Sequence, residues 1–118
     1  MYVVRSRMAP LSSDVARKAV GARLRREVLA RKALVRAIAA SRGVRALSLF
    51  GSAARGKAKA ASDLDFLVEL EGRRSLVDLV GVKQDLEALF GRPVDVFTAA
   101  SLKPGVLEKA RRDLIRVL

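Results

Sequence analysis

The sequence predicts an α+β fold in which helices flank one small mixed β-sheet. Three observations lead there. Residues 63–70, DLDFLVEL, alternate with the two-residue period of a strand. Leu76, Leu79, Val80, Lys83, Leu86, Leu89 and Phe90 fall at helical spacing. The whole chain then runs helix, strand, strand, helix, strand, helix, an order that gives α+β or α/β with a single small sheet.

Residues 1–12 read as a loose arm, and Ser12 or Ser13 ahead of Asp14 supplies a helix N-cap. From there to Ser41 the chain lacks proline, Val20, Leu24 and Val28 are spaced by four, and Leu34 and Ile38 likewise. This is an amphipathic helix that Gly43 stops. Its length is large for so small a domain, so a helix pair broken near Gly21 is the alternative. Residues 44–50, VRALSLF, read as a buried strand, and Gly51-Ser52 turns the chain sharply. A small, basic connection, AARGKAKAAS, leads to the second strand. Along that strand Asp63, Asp65, Leu67 and Glu69 share one face, while Leu64, Phe66, Val68 and Leu70 share the other. After Glu71-Gly72 comes the helix to Phe90, with Gly91 as its stop. Pro93 opens a third strand, PVDVFT, and a final helix starting near Pro104 leads to a short strand at IRVL.

At 118 residues the chain fits one domain, too short for a catalytic domain plus a separate substrate domain. Added specificity must come from loops, a second copy forming a homo-oligomer, or a partner. The absence of cysteine and histidine excludes disulfides, thiolate or His-ligated metal sites, the serine and cysteine triads, and His-dependent ribonuclease chemistry. Chemistry is left to carboxylates, hydroxyls, Lys/Arg, backbone amides and a hard cation. No apolar run approaches the roughly 20 residues of a membrane span, and MYVVRSRMAP lacks a signal-peptide core, which suggests a soluble cytoplasmic protein without a membrane partner. The formal charge of +12 is uneven: residues 1–46 hold 12 Lys/Arg against 2 Asp/Glu, and residues 47–118 hold 12 against 10. A basic half suits an anionic partner such as nucleic acid, a nucleotide or an acidic protein surface, and suits equally a solvated Arg-rich helix.

If the first two strands are antiparallel neighbours, Gly51-Ser52 and the two aspartates share one sheet edge. The helical connection from the second strand to the third suits a right-handed crossover between parallel strands, which brings Asp95 to the same place. Three carboxylates raise one another's pKa unless a cation lies between them, so Asp63, Asp65 and Asp95 imply a divalent ion, Mg²⁺ or Mn²⁺ by their oxygen-only donors. Two such ions, roughly 4 Å apart, stabilise both attacking and leaving oxygens of an in-line phosphoryl displacement. Gly51 lets a phosphate approach the backbone, Ser52 offers a hydroxyl, and Arg55 and Lys57 neutralise the remainder of a triphosphate. Each part alone has an ordinary reading as a strand's polar face, a turn or a surface cation. Their combination carries the argument.

The pattern Gly51-Ser52, ten residues, then Asp63-x-Asp65 before an apolar strand resembles the signature of the DNA polymerase beta-like nucleotidyltransferase superfamily. The surrounding LSLFGSAARGKAKAASDLDFLVEL, SLVDLVGVKQDLEALFGRPVDVFT and SLKP are similar to its minimal nucleotidyltransferase branch, MNT or MntA-like. The resemblance covers about residues 30–118 and implies a nucleotidyltransferase domain there, with 1–29 as a basic N-terminal arm and helix extension. It implies the mixed-sheet polymerase beta-like fold, ATP with Mg²⁺ (or Mn²⁺), and transfer of AMP. Asp63, Asp65 and Asp95 match the metal-binding carboxylates, with Asp95 placed to help activate the acceptor. Gly51 and Ser52 match the phosphate-binding turn, Arg55 and Gly56 the frequent Arg-Gly after it, and Lys83 a triphosphate contact. The branch further implies an antitoxin that transfers AMP to a tyrosine of a HEPN-domain ribonuclease toxin. The chain cannot be that toxin, whose motif needs a histidine. A non-catalytic binding antitoxin and an RNA-associated nucleotidyltransferase are the alternatives. Transfer to a small molecule is disfavoured because no substrate domain follows the sheet.

Overall fold

The alternating segment predicted at residues 63–70 forms an inner strand of the sheet in a computed structural model that describes residues 13–55 and 63–118. Helix α1 (Ser13–Ala30) and helix α2 (Lys32–Arg42) precede β1 (Val44–Phe50) and the one-turn helix α3 (Gly51–Ala54). Then come β2 (Leu64–Leu70), α4 (Leu76–Phe90), β3 (Val94–Phe97), α5 (Pro104–Arg112) and β4 (Ile115–Arg116). The sheet order is β3-β2-β1-β4. As expected, β1 and β2 are antiparallel and β2 and β3 parallel, and β4 adds an antiparallel edge beside β1.

The period of two sorts β2 into two faces. Leu64, Phe66 and Val68 are buried with Leu47 and Leu49 of β1 and Val94 of β3. Val35 and Ala39 of α2 and Val82 and Leu86 of α4 join them in one core. Phe66 stacks on Phe90 at a centroid distance of 6.1 Å. Residues one position out of phase, Ser48, Asp65, Leu67, Glu69 and Asp95, are on the opposite face and retain exposure. Helices α2 and α4 therefore cover one face, and the polar face is where a site can form.

The long N-terminal helix is a pair, with its break at Arg31 rather than Gly21. Packing explains the position. Leu24 and Val28, 3% and 0% exposed, pack with Ala53 and Ala54 of α3, whereas Val35 and Ala39 pack on β1 and α4. One straight helix cannot lay both stripes on surfaces that diverge. At the bend Arg31 donates to the Leu89 carbonyl at 2.7 Å and spans the Phe90 ring at 5.8 Å, so its charge faces the C-terminal end of α4. Arg25 donates to the Ala54 carbonyl at 3.3 Å, and Arg42 pairs with Asp85 at 3.0 Å. Part of the basic half thus serves internal contacts, while Arg23, Arg26, Lys32 and Arg36 remain exposed. The core runs from Leu24 onward, across the expected division at residues 29 and 30. The expected arm lies outside the described residues. Among those described, no helix is long and apolar enough to cross a membrane.

If α1 shares this core, Leu24→Ala destabilises the whole domain by about 2–5 kcal/mol, whereas Leu34→Ala, at an exposed position of α2, changes stability by at most about 0.5 kcal/mol. Urea denaturation followed by circular dichroism should show one cooperative transition displaced by the first substitution and unmoved by the second.

Candidate active site

The register of the sheet assembles the predicted carboxylates. Phe50 is opposite Asp65 across β1 and β2, and Asp65 is opposite Asp95 across β2 and β3. Residues directly opposite on paired strands project to one face, so Phe50, Asp65 and Asp95 form a row across the open side. Asp63, just before β2, is exposed at the same edge. The backbone holds this edge through the Leu64 amide, which donates to the Pro93 carbonyl at 3.1 Å.

Gly51 follows Phe50 and opens α3. Its φ of +75° is in the left-handed region that disfavours side chains, and a Cβ there would stand 2.6 Å from Asp65 Oδ2. The backbone conformation therefore favours glycine, and a side chain there would also force the Asp65 carboxylate to move. Arg55 closes the turn, its amide donating to the Gly51 carbonyl at 3.1 Å while its guanidinium pairs with Asp113 at 3.2 Å. Ser52 is half-buried in α3. Gly56 and Lys57 lie outside the described residues.

Asp65 has the carboxyl that its surroundings disturb most. Burial pushes it up to about 6, the negative charges of Asp95 and then Asp63 push in the same direction, and the Arg55 charge opposes them. The burial has a visible source in Phe50, which meets the ring of Phe97 edge-on at 5.6 Å across β2. Neither phenylalanine announces this role in the sequence. The only available hint is that both sit on the strands that carry or adjoin the aspartates.

Lys83, expected as a triphosphate contact, makes hydrogen bonds to Glu87 and to the start of β3. Its ammonium donates to the Val94 carbonyl at 2.7 Å and to Glu87 Oε2 at 3.0 Å, and the same Glu87 oxygen accepts the Val94 amide at 3.1 Å. The Lys83 hydrogen bond and then the Val94 amide hold the Glu87 carboxyl below its usual range. This closed set of bonds clamps the residue immediately before Asp95. Lys83 thereby fixes the start of β3.

The donor set suits a hard cation: carboxylate oxygens only, on adjacent strands, with burial and then the charges of Asp95 and Asp63 raising the Asp65 carboxyl. Among the described residues no three acidic groups stand close enough to enclose an ion as they are. The paired Asp65 and Asp95 are thus the nucleus of the set, with Asp63 beside them. Further along the open face, past Leu67, is a cavity of about 560 Å³, bounded by Ser48, Thr98, Arg111 and Arg116, a size typical of small-molecule sites. Asp63, Asp65 and Asp95 do not line it.

Comparison with known proteins is decisive at this point, because residues 31–117 match the family model described as a nucleotidyltransferase domain. The chain belongs to this family. The nucleotidyltransferase domain resembles the protein adenylyltransferase MntA of Thermococcus cleftensis, with 41% identity over 75 residues, 64% of this chain and 76% of that one. Among solved structures it is similar to one provisionally described as a minimal nucleotidyltransferase, at 40% identity and a TM-score of 0.66 over 73% of this chain and 88% of the other. It also shares its fold with a chain from a Shewanella oneidensis complex of a tri-AMPylated HEPN toxin with an MNT antitoxin, at 13% identity and a TM-score of 0.58, covering 77% of this chain and 71% of that one. These likenesses agree with the α+β, polymerase beta-like fold expected from the sequence. The matched segment of the nucleotidyltransferase domain begins at Arg31, the bend between α1 and α2.

The raised carboxyl makes a prediction about stability. Asp65 takes up its proton near pH 6 in the folded chain but near 3.8 when unfolded, so folding is increasingly penalised as pH rises between these values and by a constant amount above them. Because Asp65 is only half-buried, the penalty is on the order of 1 kcal/mol. Asp65→Asn should therefore melt at higher temperature than the wild type at about pH 8, with the difference shrinking toward about pH 4. Equal midpoints at both pH values would show that the carboxyl is not strained.

Proposed function

We propose that this nucleotidyltransferase transfers AMP from ATP to a hydroxyl of a HEPN-type protein partner, a tyrosine by the resemblance of the branch, and so acts as the antitoxin of a toxin-antitoxin pair. The observation that carries the chemistry is the row Asp65–Asp95 beside the Gly51-Ser52 turn. The named activity of the Thermococcus relative and the AMPylated toxin in the Shewanella complex support the choice of transferred group and partner class.

Asp63, Asp65 and Asp95 would hold the divalent cation, Mg²⁺ or Mn²⁺. Such a cation neutralises charge on the phosphate oxygens during displacement. Gly51, lacking a side chain, admits the triphosphate to the turn, the Ser52 hydroxyl donates to it, and the Arg55 guanidinium faces its charge. Asp95 accepts the proton of the acceptor hydroxyl as that oxygen bonds to the α-phosphorus. The bond from that phosphorus to the β-bridging oxygen breaks, and pyrophosphate leaves. Lys83 and Glu87 keep the Val94 backbone, and hence the base of the Asp95 side chain, in register with β2. Phe50 and Phe97 limit water at Asp65.

The test uses purified protein, Mg²⁺, ATP labelled at the α-phosphate and a HEPN-type protein from the same genome. Label should pass to the partner, and loss of the partner tyrosine should abolish it. Asp65→Asn and Asp95→Asn should each lower the transfer rate about 100-fold or more, since the interactions removed are worth several kcal/mol in the transition state. Label that stays on ATP while the protein still binds nucleotide would rule out transfer. Neutralisation of the toxin by the aspartate variants in cells would instead indicate action by complex formation alone.

A further inference from the structure

Arg55 ends α3, and its Nη1 donates to Asp113 Oδ2 at 3.2 Å across a separation of 58 residues. Both ends of this pair are anchored to the sheet. The Arg55 amide bonds the Gly51 carbonyl at 3.1 Å, immediately after β1. The Asp113 amide bonds the Ala110 carbonyl at 3.0 Å at the end of α5, and two residues later Ile115 pairs with Leu49 of β1. The side chains are 37% and 27% exposed, so the pair stands at the rim of the site where a solute can reach it. Partly exposed single pairs contribute little to folding. They can still select a rotamer. An arginine left free samples many conformations and loses that freedom when it grips an anion, whereas one already held loses less. The contact to Asp113 uses one guanidinium nitrogen, and the planar fork retains donors for phosphate oxygens.

We propose that Asp113 is a positioning residue that holds the Arg55 guanidinium at the mouth of the carboxylate row, pre-set to take the triphosphate of the incoming nucleotide. Nothing in the motif marks this aspartate, which lies 48 residues beyond Asp65, just after α5. The influence of Arg55 on the Asp65 carboxyl supports the placement, since the guanidinium field reaches the row. This rests on the nucleotide reading above.

Isothermal titration of the full chain with MgATP, magnesium tripolyphosphate and AMP separates the two. Asp113→Asn should weaken MgATP and tripolyphosphate about two- to fivefold, leave AMP unchanged, and keep the melting temperature. Asp113→Glu should restore most of the affinity. In an Arg55→Met background Asp113→Asn should have no further effect, which a purely electrostatic or structural role would not produce. Unchanged or tighter MgATP binding by Asp113→Asn, the same loss in the Arg55→Met background, or loss of the folded state overturns the proposal. Failure of the wild type to bind MgATP overturns the nucleotide reading and this one with it, whereas wild-type binding with no response at Asp113 overturns this one alone.

Discussion

The parallel pairing of β2 with β3 holds Asp65 against Asp95, and most of the remaining structure can be understood as what makes that unfavourable neighbourhood permanent. Two carboxylates side by side repel, and burial of one adds to the cost. A flexible chain would relieve it by letting the strands part. Here the other face of the same strands carries Leu64, Phe66 and Val94, all buried. Parting the aspartates would expose these side chains, and the apolar area lost at roughly 25 cal/mol per Å² far exceeds the repulsion between partly solvated charges. The core does not merely support the site. It is the opposite side of the same residues.

Around this pair the molecule places devices that each fix one coordinate. The Lys83–Glu87–Val94 clamp fixes the entry of β3, and Gly51 fixes how closely the turn after β1 approaches Asp65. Helix α1 precedes the segment matched by the family, yet it fixes α3 through Leu24, Val28 and the Arg25 bond to Ala54. A helix that composition alone presents as a basic appendage is therefore a wall behind the Gly51-Ser52 turn. Its exposed arginines stay on the outside.

Much of this was readable beforehand because the informative signals were local. The period of two in DLDFLVEL decides which residues are buried and which are on the open face, and the antiparallel-then-parallel pairing accompanies one turn with a small, basic connection and one helical crossover. The bend at Arg31 escaped because no glycine or proline marks it; it arises from two apolar stripes meeting different neighbours. The bonds of Lys83 to Glu87 and Val94 escaped for a related reason. A lysine on a crossover helix can point to a ligand or to the strand the helix leads into, and only the position of the Val94 carbonyl separates these. The Phe50–Phe97 and Arg55–Asp113 contacts join residues 47 and 58 positions apart, where sequence spacing carries no signal.

The distance between the two paired aspartates is set by the peptide backbone, because neighbouring strands stand about 4.8 Å apart whatever side chains they carry. The sheet is thus a ruler that mutation cannot recalibrate in small steps. Sliding β3 by one residue would turn its buried face outward, and sliding it by two would leave Asp95 without its counterpart. A domain built this way is free to vary its loops and exposed helix faces, while the spacing of Asp65 and Asp95 changes only if the pairing of β2 with β3 is lost.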